Sequence, residues 1–205
     1  LALANRSNLV FGIPLMSEEK EARVAMGRKL AEKLFEKRII TIYGEINQKV
    51  AREVTEKLLV LSQDSDDAIK LFINSQGGHV ESGDTIFDMI RFVQAPVKII
   101  GTGWVASAGA LIFAAAQKDN RYSLPNTRFM LHQPMGGVGG QATDISIEAQ
   151  EILKMRDRLN QIFSDATGQD IKKIEQDTDR NFWMSPEEAR KYGLVGQVIS
   201  TAKDL

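Results

Sequence analysis

Apolar and polar positions recur along this chain with two distinct periods. Over residues 17–37, Ala22, Met26, Leu30 and Leu34 return every four positions among charged residues, which predicts an amphipathic helix. Residues 38–43 are rich in β-branched side chains and predict a buried strand stopped at Gly44. A helical pattern follows over 49–62, and a second strand over 68–74 leads into Gly77-Gly78. Residues 83–94 read as a helix ended by Pro96, residues 97–101 as a strand, and residues 107–117 as an apolar helix. A short strand over 127–132 runs into the turn-rich Gln133-Pro134-Met135-Gly136-Gly137. One long helix over 143–166 is broken by Gly168. The last helix opens with Ser185 as N-cap, Pro186 in the first turn and Glu188 closing a capping box, and a strand over 194–199 ends the pattern. Strands alternating with helices predict an α/β domain around a mostly parallel sheet.

At 205 residues, with 43% hydrophobic and 26% charged side chains, the chain has the make-up of one globular domain with a sizeable core. A net charge of -1 gives no long-range attraction to nucleic acid or to an anionic membrane, so neither is an expected partner. The absence of cysteine excludes disulfides, thiolate catalysis and cysteine-based zinc sites. His79 and His132 are too few for a histidine-rich metal cluster, so no metal and no cofactor are expected. Residues 99–117, between Lys98 and Lys118, carry no charge and approach the length of a membrane span. Gly101, Gly103, Ser107 and Gly109 interrupt the stretch, which reads instead as a buried strand followed by a buried helix. Residues 9–16 are apolar but lack the basic flank of a secretion signal, which makes a cytoplasmic location the expectation.

Three loops rich in small residues follow predicted strands: 74–78, 101–109 and 132–137. In open α/β sheets such loops gather at one edge and form the ligand site. Ser107 lies where a strand turns into a helix, whose unpaired N–H groups favour negative charge. That suits a nucleophile whose attack creates an oxyanion. On local sequence alone, an N-cap serine is the commoner reading. His132, closing a strand, supplies the usual base for such a serine. Gly77-Gly78 would let a substrate carbonyl approach backbone N–H groups closely. His79 is a second candidate base, but is expected to line the cleft or face solvent.

These residues resemble the Clp protease proteolytic subunit family. The resemblance is carried by Ile73-Asn74-Ser75-Gln76-Gly77-Gly78, Ala106-Ser107-Ala108-Gly109-Ala110, Leu124-Pro125-Asn126, and Met130-Leu131-His132-Gln133-Pro134. It continues through Gly140-Gln141-Ala142-Thr143-Asp144-Ile145, Asp177-Thr178-Asp179-Arg180, Glu188-Ala189 and Tyr192-Gly193-Leu194-Val195. It implies a crotonase-like α/β fold of stacked ββα units with a protruding handle helix, over about 138–166. A single peptidase domain would span 18–200, between an N-terminal axial segment (1–17) and a C-terminal tail (201–205). The resemblance further implies an ATP-independent serine endopeptidase assembled as two stacked heptameric rings, a tetradecamer, fed by an AAA+ unfoldase. Its substrates would be peptides and unfolded chains. Ser107 becomes the nucleophile, His132 the base, and Gly78 and Ala108 the backbone donors to the oxyanion. Asp179, Arg180 and Gln141 become inter-ring contacts, and Leu58, Phe72, Phe92 and Tyr122 line a docking pocket for the unfoldase. Leu9, Val10 and Ile13 become apolar contacts of the axial segment.

One position departs from the family pattern. Where the third member of the triad is an Asp, this chain has Asn181. A neutral amide cannot stabilise imidazolium, and the equivalent exchange in the serine-protease triad costs roughly 10⁴-fold in kcat. A weak peptidase is therefore expected, with Asn181 presenting its carbonyl to the imidazole, or with Asp177 or Asp179 swinging in, or with a paralogous subunit sharing the assembly. The alternatives are an inactive structural or regulatory ring subunit, an acyl-CoA enzyme of the same fold drawing on Glu81 and Asp84, and a Ser–Lys peptidase using Lys118.

Overall fold

The computed structural model describes residues 9–10, 13–14, 18–137 and 139–205. Residues 1–37 and 38–205 form two compact units. In the first, β1 (Leu9–Val10) pairs antiparallel with β2 (Ile13–Pro14), and α1 (Glu18–Glu36) follows as its periodicity predicts. The rest of the expected axial segment over 1–17 lies outside the described residues, as does Val138 at the start of the expected handle.

The second unit is built on a parallel sheet in the order β3 (Ile39–Ile46), β4 (Ile69–Gly78), β5 (Val97–Ala106), β6 (Arg121–Ser123) and β9 (Gln197–Val198). Helices α2 (Gln48–Asp64), α3 (Val80–Phe92) and α4 (Ala108–Ala114) make the crossovers. Strand β5 serves two neighbours: Ile99 to Gly101 pair with β6, and Trp104 to Ala106 pair with β7 (Arg128–Leu131). Strand β8 (Phe182–Met184) then adds to β7 in the antiparallel sense. The tips of β4, β5 and β7 therefore meet at one place.

Strand alternation explains the core. Ile69, Leu71 and Ile73 of β4 are buried on every second position, together with Ile40 and Ile42 of β3 and Ile99 of β5. Every residue of α4 is buried, which accounts for the uncharged run over 99–117 without a membrane. Among the described residues no helix is long and apolar enough to cross one.

The structure extends several expected elements. Strand β3 passes through Gly44, β4 reaches Gly78 and β5 reaches Ala106, because pairing resumes after register shifts at Tyr43/Glu45 and Ile73/Ser75. Helix α3 starts at Val80 rather than residue 83, because His79 caps it. Helix α5 (Ala142–Thr167) matches the expected long helix and ends at Gly168 in the left-handed region, with φ 75°. Its residues 142–151 are exposed, whereas Leu159 and Phe163 are buried. The buried Arg121 donates to Ala166 O at 2.7 Å and ties the end of α5 to β6; burial pushes its guanidinium down to about 10. Helix α6 (Ile171–Thr178), absent from the sequence reading, is capped by Asp170 and joins α5 to β8. Helix α7 (Pro186–Tyr192) carries the expected capping box of Ser185 and Glu188.

Candidate active site

Ser107 stands between β5 and α4 with φ 56° and ψ -125°, a backbone conformation that non-glycine residues rarely adopt. Its N–H is held by Met130 O of β7 at 3.0 Å. It occupies the N-cap position of α4, but its side chain makes no cap hydrogen bond. The N-cap position read from local sequence is the one observed, but the side chain does not act as the cap. The strained turn aims Oγ out of the helix and toward β7.

There Oγ meets His132, the residue after the last one of β7, at 2.7 Å from Nε2. Gln133 fixes the backbone just beyond: its N–H donates to Thr178 O at 2.7 Å and its side-chain amide to Asp179 O at 2.8 Å. The pair lies in a small cleft of about 10 Å³ lined by Val80, Leu111, Pro134, Leu159 and Phe163. Burial in these apolar walls holds the imidazole below the 6.5 of an ordinary histidine. The ring is therefore neutral at pH 7, with a lone pair available to take a proton.

Gly77 and Gly78 close β4, the first against the same serine and the second against Ile46 of β3. A Cβ on Gly77 would sit 2.6 Å from Ser107 Cβ, and one on Gly78 would sit 2.2 Å from Ile46 O. Both positions need glycine for space and for their φ of 104° and 147°. Ser75, fully buried, receives the Gly77 N–H at 3.0 Å and donates to Gly44 O at 2.6 Å. Ala108 opens α4, so its N–H belongs to the first turn, which lacks intrahelical acceptors. The fold thus brings Ser107, His132, Gly77 and Ala108 to one place.

Asn181 does not join them through its side chain. It is exposed and, among the described residues, hydrogen-bonded to nothing; the His132 Nδ1 has no partner either. Its backbone is nevertheless well placed. Strand β8 pairs Phe182 with Leu131, and one further step of that antiparallel register sets Asn181 across from His132. The carboxylates weighed as substitutes are engaged elsewhere. Asp177 accepts from Tyr192 Oη at 2.7 Å and from Lys173 Nζ at 2.8 Å, and Asp179 is bound by Gln133. Glu81 pairs with His79 and Asp84 with Arg158, which leaves neither directed at the cleft.

The remaining expected residues are dispersed. Gln141, Asp179 and Arg180 are exposed. Phe92 is 75% exposed, Phe72 is half-buried, and Tyr122 is buried in a small cluster with Ile100 and Ile199. Leu58 is fully buried in the main core and cannot line an outer pocket, because α2 turns it toward the sheet. No group of three or more His, Cys, Asp or Glu side chains suited to a metal occurs among the described residues. Sequence reasoning missed Ser75 and the capping role of His79. Both act through hydrogen bonds to neighbouring backbone, which leave no periodic trace.

Residues 21–202 match the family model described as Clp protease. The chain belongs to the Clp protease family. It is 60% identical over 179 residues to ATP-dependent Clp protease proteolytic subunit 2 of Gluconobacter oxydans, covering 86% of this chain and 80% of that one. It is 55% identical over 188 residues to the proteolytic subunit 3 of Rhizobium meliloti, covering 92% and 96%. Among solved structures, ClpP1 of Listeria monocytogenes superposes with a TM-score of 0.78 at 53% identity, covering 86% of this chain and 99% of that one. An Asn-to-Asp mutant of the same ClpP1 gives 0.80 at 53% identity, with 85% and 98% covered. The expected α/β fold of the family, a parallel-sheet core with helices, is the fold observed.

Proposed function

We propose that this Clp-family chain is a serine endopeptidase subunit in which Ser107 attacks the scissile carbonyl and His132 takes its proton. The 2.7 Å contact between Oγ and Nε2 is the observation that carries this reading. Burial keeps His132 neutral and ready to act as base. The Gly78 and Ala108 N–H groups receive the oxyanion of the tetrahedral intermediate, whose collapse expels the amine with the proton returned from His132. Water then repeats the sequence on the acyl-enzyme.

The third position sets the rate. Asn181 must turn its Oδ1 onto the Nδ1–H of His132 to orient the ring, and as an amide it adds no charge to stabilise imidazolium. The subunit is accordingly slow alone and works in stacked heptameric rings, mixed with a more active paralogue. An AAA+ unfoldase docks on Phe72, Phe92 and Tyr122 and threads polypeptide to the sequestered serines. Asp179, Arg180 and Gln141, all exposed, serve the contact between rings.

Steady-state cleavage of a short fluorogenic peptide tests this. Ser107→Ala abolishes turnover, while Asn181→Asp raises kcat tenfold or more, with roughly 10⁴ as the ceiling for that exchange. An assembled Asn181→Asp protein no faster than the parent contradicts the assigned role of Asn181. Turnover that survives Ser107→Ala contradicts the whole reading.

A further inference from the structure

Gly78 sits between two anchored neighbours, and the anchor that follows it is a histidine. The His79 N–H donates to Ile46 O at 2.9 Å. Its ring takes the N-cap position of α3: Nδ1 lies 3.2 Å from the Ser82 backbone nitrogen and 2.9 Å from Ser82 Oγ. A backbone N–H can only donate, so Nδ1 presents a lone pair to it. The proton of the neutral ring is then on Nε2, which faces Glu81 Oε2 at 3.3 Å. Short oxygen-bearing side chains usually fill an N-cap. Here an imidazole does so, with the completely buried Ser82 as its fixed partner.

We propose that His79 is a positioning residue for the hydrolytic site, locking the start of α3 so that the Gly78 N–H and the Val80 side chain keep their places beside Ser107. The inference rests on the proposed role of Gly78 as an oxyanion donor. Gly78, at φ 147° and without Cβ, is the last residue of β4, opposite Ile46 of β3. Upstream it is restrained through Ser75, which holds Gly77 to β3. Downstream the restraint is His79, strapped to β3 by its backbone and to α3 by its ring. Val80, the next residue, lines the cleft of the Ser107–His132 pair. One side chain therefore sets both an oxyanion donor and a wall of the cleft. Such donors act only when held within roughly 0.5 Å of their productive positions. Glu81 keeps the ring in the required tautomer. Arg158 of α5 holds the same turn from outside, paired with Asp84 at 2.6 and 2.7 Å and drawn also by Asp88 and Glu81.

The test uses the full chain with His79→Ala and His79→Asn, the second able to offer Oδ1 to the same N–H. Two quantities are read: the rate at which a fluorophosphonate modifies Ser107, and amide hydrogen exchange over residues 75–82. The alanine variant is expected to label roughly tenfold more slowly and to exchange faster over that segment. The asparagine variant is expected to return both readings close to the parent values. An alanine variant that labels at the parent rate overturns the inference, whether or not its exchange rises, since the cap is then structural alone. An asparagine variant as slow as alanine overturns it too, because the cap is then not what matters. A parent protein that the probe does not modify removes the hydrolase reading itself, and the inference with it. A labelled parent with flat variants removes only the inference.

Discussion

Ser107 carries the main expense of this site in its own backbone. A non-glycine residue at φ 56° and ψ -125° costs on the order of 1–3 kcal/mol. That conformation persists because Met130 O holds the Ser107 N–H and Gly77 leaves room for its Cβ. If the strain is stored there for function, Ser107→Gly releases it and Ser107→Ala does not. The glycine variant should be more stable than the alanine variant by about 1 kcal/mol after the entropic penalty of glycine, read from urea midpoints. Equal midpoints would contradict the strain. His132 yields a second expectation at the same scale. Its pKa is lowered by burial, so the neutral base persists to more acid pH than in a free histidine. Acidification converts it to imidazolium and removes activity. The acid limb of the kcat/KM profile should therefore have its midpoint below 6.5. A midpoint above 6.5 would contradict the apolar environment described for the ring.

At the scale of elements, α3 and α5 form the walls of the cleft and are joined by one ion pair. Arg158 grips both oxygens of Asp84, whose side chain is 19% exposed against 45% for the arginine. The fork geometry strengthens the pair, while solvent around the guanidinium screens it. Asp84→Asn is expected to cost about 1 kcal/mol, and a double-mutant cycle with Arg158→Met should return a coupling of similar size. Near-additive single effects would show that packing of Leu159 and Phe163 alone holds α5 in place. Elements also show where the sequence was legible. Helices with long apolar periods or explicit caps, such as α2, α5 and α7, could be read to within a few residues. The starts and ends around the site could not. Helix α3 begins three residues early because its cap is a histidine, and β4 and β5 overrun their apolar runs because irregular pairing continues through Gly77 and Val105. Helix α6 and strand β8 are short and draw their stability from tertiary contacts such as the Thr178–Asn160 hydrogen bond at 2.9 Å. Asp170 is a local start signal for α6, but the segment is too short for its apolar period to stand out, and β8 has no such signal.

For the molecule as a whole, the candidate site is assembled from residues far apart in sequence, and the crossing of β5 between β6 and β7 brings them together. Ser107, His132 and the glycine pair could be named from the ordered motifs, yet their contact depends on that topology. Asn181 marks the limit of such reading. Sequence named it as the third triad position, whereas in the single chain its side chain faces solvent. Large apolar side chains are also exposed on this unit, among them Tyr43, Phe92, Trp104, Met135 and Trp183. A surface of that kind is expected of a subunit that is covered in an assembly. Hydrolysis at this site depends on one hydroxyl, and intact-mass analysis after treatment with a fluorophosphonate reports on it. A single adduct per chain is expected, mapped to Ser107 and greatly slowed by His132→Ala. An assembled, folded protein that gains no adduct, or one that carries it on another serine, would contradict it.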